Sequence, residues 1–334
     1  MNAFFKILLL LTALTLTYPF TYGQEMNYTA EADTFLRRMP AGLQHRQAVA
    51  VEQAILGNYE ALTHVRNSRN TEITIPKGIH HTILTHELHL YRPDSGKKKL
   101  PLLIYLHGGG WAFRSVNSCA KYCCAIAQEN IAVMAVNYRL SPDNAYPAAL
   151  IDIREALRYA HQHADELGID TNQIFLGGDS AGGNLALAAA LQSMDDAEHP
   201  LLPNGLVLFY PVVRAYNDGS ESWKTYGTGF GLDAELMDAF NRAYAEGHTT
   251  DPLYSPAHAS DEQLKQLPRT LLVAADRDIL RDQGKDFATR LTALGVRTTY
   301  QLVPGSVHLF ITVDGQPAAF QLAVQHTVAF INAH

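Results

Sequence analysis

The stretch from Gln173 to Asn184 admits few folds. Gln173 to Leu176 reads as a short buried strand, and Leu185 to Leu191 is a strong helix former. Between them stands Ser180, flanked at minus two and plus two by Gly178 and Gly182. A strand that turns at once into a helix bends too tightly for side chains at those flanking positions, and glycine leaves the room. Such a bend strains its central residue and lifts the serine hydroxyl to the tip of the turn, ahead of a helix N-terminus. A Gly-rich structural turn around an ordinary serine has the same five-residue pattern, so the rest of the chain must decide.

From Leu100 onward the chain supplies the matching architecture. Leu102 to Leu106 is a continuous apolar strand, as is Ile131 to Asn137. Gln173 to Gly177, Gly205 to Tyr210, Thr270 to Ala275 and Arg297 to Val303 follow. Helical periodicity covers Ala148 to His163, Leu280 to Leu294 and Pro317 to Asn332. Unbroken apolar strands alternating with helices predict an α/β fold, a mostly parallel sheet flanked by helices on both faces. Ahead of it, Glu72 to Ile75 and Ile83 to Tyr91 alternate apolar and polar residues, as half-buried antiparallel strands do. His80, His81, His86 and His89 fall here. A metal site is one reading, but on a single strand His86 and His89 point to opposite faces. Residues 24–70 read as a helical arm broken at Met39 to Gly42. Asn217 to His248, rich in Gly, Tyr and Trp and then helical, interrupts the β/α rhythm. Together the arm and this insertion are candidates for a cap over the carboxyl ends of the strands. The expected organisation is an N-terminal export segment over 1–23, an arm over 24–70 and one catalytic domain over 71–334, with the insertion at 217–248.

Composition excludes some classes of function. Of 334 residues 47% are apolar and 18% charged, and the net charge of −7 is spread over both signs. No basic face suggests nucleic acid. Ile7 to Leu16 is an apolar and threonine run of ten residues after one positive charge. It is too short to span a bilayer, which takes about 20 residues, and has the proportions of a secretory signal. Cleavage is expected after Gly23, giving a periplasmic or secreted chain that starts at Gln24, with no stable membrane anchor; an uncleaved signal anchor is the alternative. Three cysteines, Cys119, Cys123 and Cys124, cannot all pair internally and match no zinc spacing. They read as small buried residues on a helix packed against the sheet.

The chemistry needs partners for Ser180. His107-Gly108-Gly109-Gly110-Trp111 follows the first apolar strand directly. Consecutive glycines aim backbone N–H groups at a ligand, and in acyl transfer such groups hold the oxyanion. The expected donors are Gly108, Gly109 and Ala181, the residue after the serine. A serine hydroxyl needs a base, and on a strand–serine–helix sheet the acid and histidine come later in the chain. Of 15 histidines, His308 lies just past a strand on the carboxyl edge; His258 follows no clear strand and His326 falls in the last helix. For the acid, Asp276, Asp278 and Asp282 compete after Ala275, and reach favours Asp278 over Asp276. Trp111, Asp179, Tyr210, Phe230 and Phe310 are candidates to line the substrate pocket. No metal or organic cofactor is needed, the partner being a small-molecule ester.

Taken together, His107-Gly108-Gly109-Gly110-Trp111, Val136 to Asp143, Gly178-Asp179-Ser180-Ala181-Gly182-Gly183, Asp278 to Asp282 and Val307-His308 come in a specific order. Over roughly residues 70–334 the chain resembles the hormone-sensitive-lipase-like family of α/β-hydrolase esterases. The resemblance implies an α/β-hydrolase fold with a two-part helical cap. It implies Ser180 as nucleophile, His308 as base, Asp278 as the carboxylate that orients it, and structural roles for Tyr138, Arg139 and Asp152. The family often has Pro where this chain has Ile279 and Gly where it has Leu309. The implied activity is hydrolysis of carboxylic esters. Bulk after the glycine loop leans to short acyl groups such as acetyl, with acetylated carbohydrates as a natural target for an exported enzyme. A peptidase with the same triad, or a ligand-binding member without catalysis, are the alternatives.

Overall fold

The structure is a computed structural model that describes residues 27–68, 73–85, 87–96, 99–194 and 201–333. The export segment over 1–23, Gln24, Glu72 and His86 lie outside the described residues. The arm forms three helices, α1 (Tyr28–Arg38), α2 (Leu43–Ile55) and α3 (Glu60–Ser68). Asn27 caps the first, its side chain accepting the N–H of Ala30 at 2.9 Å. The expected break at 39–42 separates α1 from α2. A second turn, through Gly57 and Asn58, places Leu62 on a helix of its own.

The rest runs β1 (Ile79–Thr85), β2 (Leu88–Pro93), β3 (Leu100–Leu106), α4 (Ala120–Ala127), β4 (Ala132–Val136), α5 (Ala148–Gln162), α6 (Ala164–Leu167), β5 (Ile169–Asp179), α7 (Ala181–Met194), β6 (Gly205–Phe209), α8 (Glu221–Tyr226), α9 (Ala234–Ala245), α10 (Asp261–Leu264), β7 (Arg269–Arg277), α11 (Arg281–Ala293), β8 (Thr298–Val307) and α12 (Pro317–Asn332). The eight strands form one sheet in the order β1-β2-β4-β3-β5-β6-β7-β8. The β1–β2 and β2–β4 pairs are antiparallel and the others parallel. Parallel neighbours joined by helices send every strand's carboxyl end to one edge, so the loops after β3, β5, β7 and β8 meet there.

Two expectations change at the front of the sheet. Residues 73–75 are in no strand. The single strand expected over Ile83 to Tyr91 spans the end of one hairpin arm and the start of the other, so that Ile83 opposes His89. The histidines that meet are therefore His81 and His89, whose ring nitrogens lie 3.1 Å apart across it. Among the described residues no group of three or more His, Cys, Asp or Glu is placed to hold a metal ion.

The core follows from the period of two in the central strands. Leu102, Ile104 and Leu106 of β3 face a cluster that includes Leu185, Leu187 and Ala188 of α7. Leu103 and Tyr105 face the other cluster, with Cys123, Ile126 and Phe320. Each fully buried aliphatic side chain contributes about 1.5–3 kcal/mol. Cys119, Cys123 and Cys124 are buried free thiols in this second layer. Among the described residues no helix is long and apolar enough to cross a membrane.

Candidate active site

The turn after β5 is as tight as the glycine spacing demands. A Cβ on Gly178 would stand 2.4 Å from the carbonyl oxygen of Leu106, and one on Gly182 would stand 2.0 Å from the same atom. Neither helix nor strand could approach β3 so closely with a side chain there. Ser180 between them takes φ +55, a left-handed conformation that costs a non-glycine residue about 1–3 kcal/mol. Its N–H donates to Phe209 at 2.9 Å and its carbonyl accepts from Asn184 at 3.0 Å, which fixes the turn between β6 and the first turn of α7.

At the same edge, His308 follows β8 and Asp278 follows β7. His308 Nδ1 lies 2.6 Å from Asp278 Oδ2, and His308 Nε2 lies 3.0 Å from Ser180 Oγ. With Nδ1–H donating to the carboxylate, Nε2 is left to accept the serine proton. Asp278 Oδ1 accepts the N–H of Leu280 at 3.1 Å. His308 and Asp278 are both about 1% exposed, so this short pair sits where water does not compete with it. Gln316, which nothing in the sequence singled out, holds the histidine's backbone. Its amide donates to the carbonyls of Val307 and His308 and accepts the N–H of Val307. The competing carboxylates have other partners. Asp276 Oδ2 accepts Gly305 N–H at 2.8 Å, and Asp282 accepts Ser222 N–H at 2.9 Å.

The glycine loop after β3 corrects one assignment. Gly108 N–H donates to Asp179 Oδ1 at 2.9 Å and so is already engaged, whereas Gly109 and Gly110 line the cavity above Ser180. Tyr105 O–H donates to the same Asp179 oxygen at 3.1 Å. Burial pushes the Asp179 carboxyl above its ordinary value, against the opposing pull of Arg114 and these hydrogen bonds. Asp179 is thus a brace beneath the loop rather than a wall of the pocket. His107 anchors the loop from the other side. Its Nδ1 bonds Gly108 O at 2.9 Å, and burial lowers its pKa to about 4. Tyr138 stacks on that ring at 4.4 Å and donates to His107 O at 2.6 Å. Arg139 pairs with Asp152.

A cavity of about 1010 Å³ opens over Ser180 and His308. Its walls are α1 to α3, α9, Phe113, Arg114 and the loop at 309–315. None of the five residues expected to line it does so. Trp111 is fully buried and stacked on Tyr244 at 4.8 Å with 2° between the rings. Tyr210 backs the His308 ring at 4.3 Å, and Phe310 meets Tyr210 edge-on. Phe230 packs on Tyr226, and Asp179 lies under the loop. The phenylalanine walls are Phe35, Phe113 and Phe240 instead, the last two ring to ring at 5.0 Å. Leu309, where the family often has glycine, lines the cavity with φ +78, a backbone that glycine adopts without strain. Ile279, the other departure, is buried, and its carbonyl accepts the Ser222 hydroxyl.

The chain is similar to proteins already known. Residues 103–312 match a family model described as the alpha/beta hydrolase fold. The ethyl acetate hydrolase of Pseudomonas putida is 35% identical over 234 residues, 68% of this chain and 72% of that protein. The carboxylic ester hydrolase LipN of Mycobacterium tuberculosis is 31% identical over 251 residues, 73% of this chain. The match spans just under two thirds of LipN, 66% of its length. Among solved structures, the hyperthermophilic esterase of the archaeon Pyrobaculum calidifontis superposes with a TM-score of 0.75 at 29% identity, covering 89% of this chain and 96% of that one. With the family model matched over more than half of the chain and these esterases as relatives, the chain belongs to the hormone-sensitive-lipase-like family of α/β-hydrolases.

Proposed function

We propose that this protein is a serine carboxylesterase that cleaves esters of short acyl groups through an acyl-enzyme. One run of contacts carries the reading: Asp278 to His308 at 2.6 Å and His308 to Ser180 at 3.0 Å, at the floor of an open cavity. Ser180 Oγ attacks the acyl carbonyl while His308 Nε2 takes its proton. Asp278 keeps the imidazole in the Nδ1–H tautomer and offsets the charge of the imidazolium. The oxyanion is held by the N–H groups of Gly109, Gly110 and Ala181. Gly110 takes the place first given to Gly108, whose N–H is engaged by Asp179. His308 then protonates the leaving alcohol, and water repeats the sequence on the acyl-enzyme. The names of the relatives, an ethyl acetate hydrolase and a carboxylic ester hydrolase among them, support the ester reaction and a small acyl group.

Phe113 and Phe240, beside Gly109 and Gly110, restrict the acyl side, while the volume beyond them suits a larger alcohol portion, such as the sugar of an acetylated carbohydrate. The N-terminal apolar run supports action outside the cytoplasm after cleavage near Gly23, with residues 24–70 and 217–248 as the two parts of a cap. Ser180→Ala lowers kcat on p-nitrophenyl acetate by roughly 10⁴–10⁶-fold and abolishes labelling by a fluorophosphonate probe, with Tm preserved. Asp278→Asn loses far more activity than Asp276→Asn. Wild-type turnover in Ser180→Ala, or the reverse ranking of the two aspartates, would end this assignment.

A further inference from the structure

The arm's second helix presents three glutamines, Gln44, Gln47 and Gln53, to the same cavity, and the first two do different work. Gln44 ties the arm to the insertion. Its amide nitrogen donates to Gly231 O at 2.9 Å, and its oxygen accepts the N–H of Asp233 at 3.3 Å. Gln47, one helical turn further on, lines the Ser180 cavity and is only 5% exposed. Among the described residues its amide has no hydrogen-bond partner in the protein, and it is not among the polar atoms sealed away from solvent-sized space. The amide therefore meets the cavity itself. Its neighbours on that wall are Leu43 and Ala50, and across the cavity stand Leu236 and Phe240 of α9. Gln47 is thus an unpartnered amide bordered by hydrocarbon, in a lining that elsewhere also carries Gln53, Asn58 and the charged Arg38 and Arg114.

We infer that Gln47 is a specificity-determining residue that takes a hydroxyl group of the substrate's alcohol portion, so that the preferred esters are short-chain acyl esters of polyhydroxy alcohols. This rests on the esterase reading of Ser180. A primary amide donates and accepts, and a hydroxyl does both in return, so one amide pairs fully with one hydroxyl. A hydrocarbon alcohol of the same shape strips water from Gln47 and returns nothing. Sites built in this way discriminate against the analogue that lacks the polar group, because the protein's own group is left unpaired. Ala50, with no side chain beyond Cβ, leaves room beside the amide for a ring.

The test uses the full chain and alcohols that differ by one hydroxyl: cyclohexyl acetate against the monoacetates of 1,2-, 1,3- and 1,4-cyclohexanediol. The wild type is expected to favour at least one diol monoacetate by about tenfold in kcat/KM, the effect of one paired hydrogen bond. Gln47→Leu, and Gln47→Met as the unbranched alternative should leucine disturb α2, are expected to bring that ratio to within about twofold of one. Gln47→Glu, which still accepts a hydroxyl proton, is expected to retain part of it. A wild type indifferent to all three diols, or a preference that survives both Gln47→Leu and Gln47→Met, would overturn the inference. Failure of the esterase reading shows separately, as hydrolysis of p-nitrophenyl acetate that persists in Ser180→Ala.

Discussion

Replacing Gly110 by alanine tests the proposed oxyanion loop and its contact with α9 at once. Gly110 has φ +60, and an added Cβ would lie 2.1–2.3 Å from three ring atoms of Phe240. Two costs follow. An L-residue in the left-handed region loses about 1–2 kcal/mol. Forcing a packed ring aside adds about 1–3 kcal/mol. A loss of about 2–5 kcal/mol corresponds to a fall in Tm of roughly 3–7 °C for a chain of this size. Alanine keeps the backbone N–H, so kcat falls only as far as the methyl displaces it, with roughly 10²–10³ as the cost of losing one oxyanion donor outright. The steric share is separable, because Phe240→Ala removes the ring the methyl strikes. In the double variant about 1–3 kcal/mol of stability should return relative to the sum of the single changes, while the backbone strain remains. Thermal unfolding and steady-state hydrolysis of p-nitrophenyl acetate by the four proteins measure both. Wild-type kcat in Gly110→Ala would refute the expected displacement of the loop, and strict additivity in the double-mutant cycle would refute the contact with Phe240.

Two further outcomes follow from the groups under the loop. Asp179→Ala leaves Gly108 N–H and Tyr105 O–H without an acceptor, each at about 1–3 kcal/mol; Asp179→Asn keeps an accepting oxygen and should lose much less stability in urea denaturation, whereas equal losses would show that the brace carries nothing. His107 is held neutral in the fold, with its pKa lowered to about 4 by burial. The unfolded chain therefore takes up this proton first, and stability is lost as pH falls from about 6.5 towards 4, by on the order of 3 kcal/mol. His107→Asn should flatten that part of the stability profile, and an unchanged slope would rule out His107 as its source.

Much of this fold could be read from local pattern. The parallel core declared itself because strands such as β3 and β6 are apolar on both faces, and the serine turn because strand, glycines and helix are contiguous. The acid and base were readable as candidates because each follows a strand and so reaches one edge. What could not be read depended on contacts between distant segments. Gly108 and Gly109 look alike in sequence; only the placement of Asp179, 71 residues later, shows that one N–H is engaged. The aromatic pocket candidates failed for a related reason. Trp111 follows the loop in sequence, but its left-handed backbone, φ +57, accompanies a ring stacked on Tyr244 and away from the cavity. The true walls come from α2 and α9, whose faces could not be oriented before their mutual packing was known. The β1–β2 hairpin was missed because its turn lacks a Gly or Pro signal and its arms share one alternating pattern.

The stacking of Trp111 on Tyr244 gives this protein an optical reporter of its own. The chain has two tryptophans. Trp223 lies buried in α8 and Trp111 lies buried against α9, so both indoles read the segment over 217–248. Each emits from a dry, apolar setting. Any excursion of α9 that unstacks the Trp111–Tyr244 pair admits water to the indole and moves its emission to longer wavelength, whereas acylation of Ser180 with α9 in place leaves that colour unchanged. Stopped-flow fluorescence on the unlabelled protein can therefore report whether α9 shifts when an ester enters, independently of its cleavage.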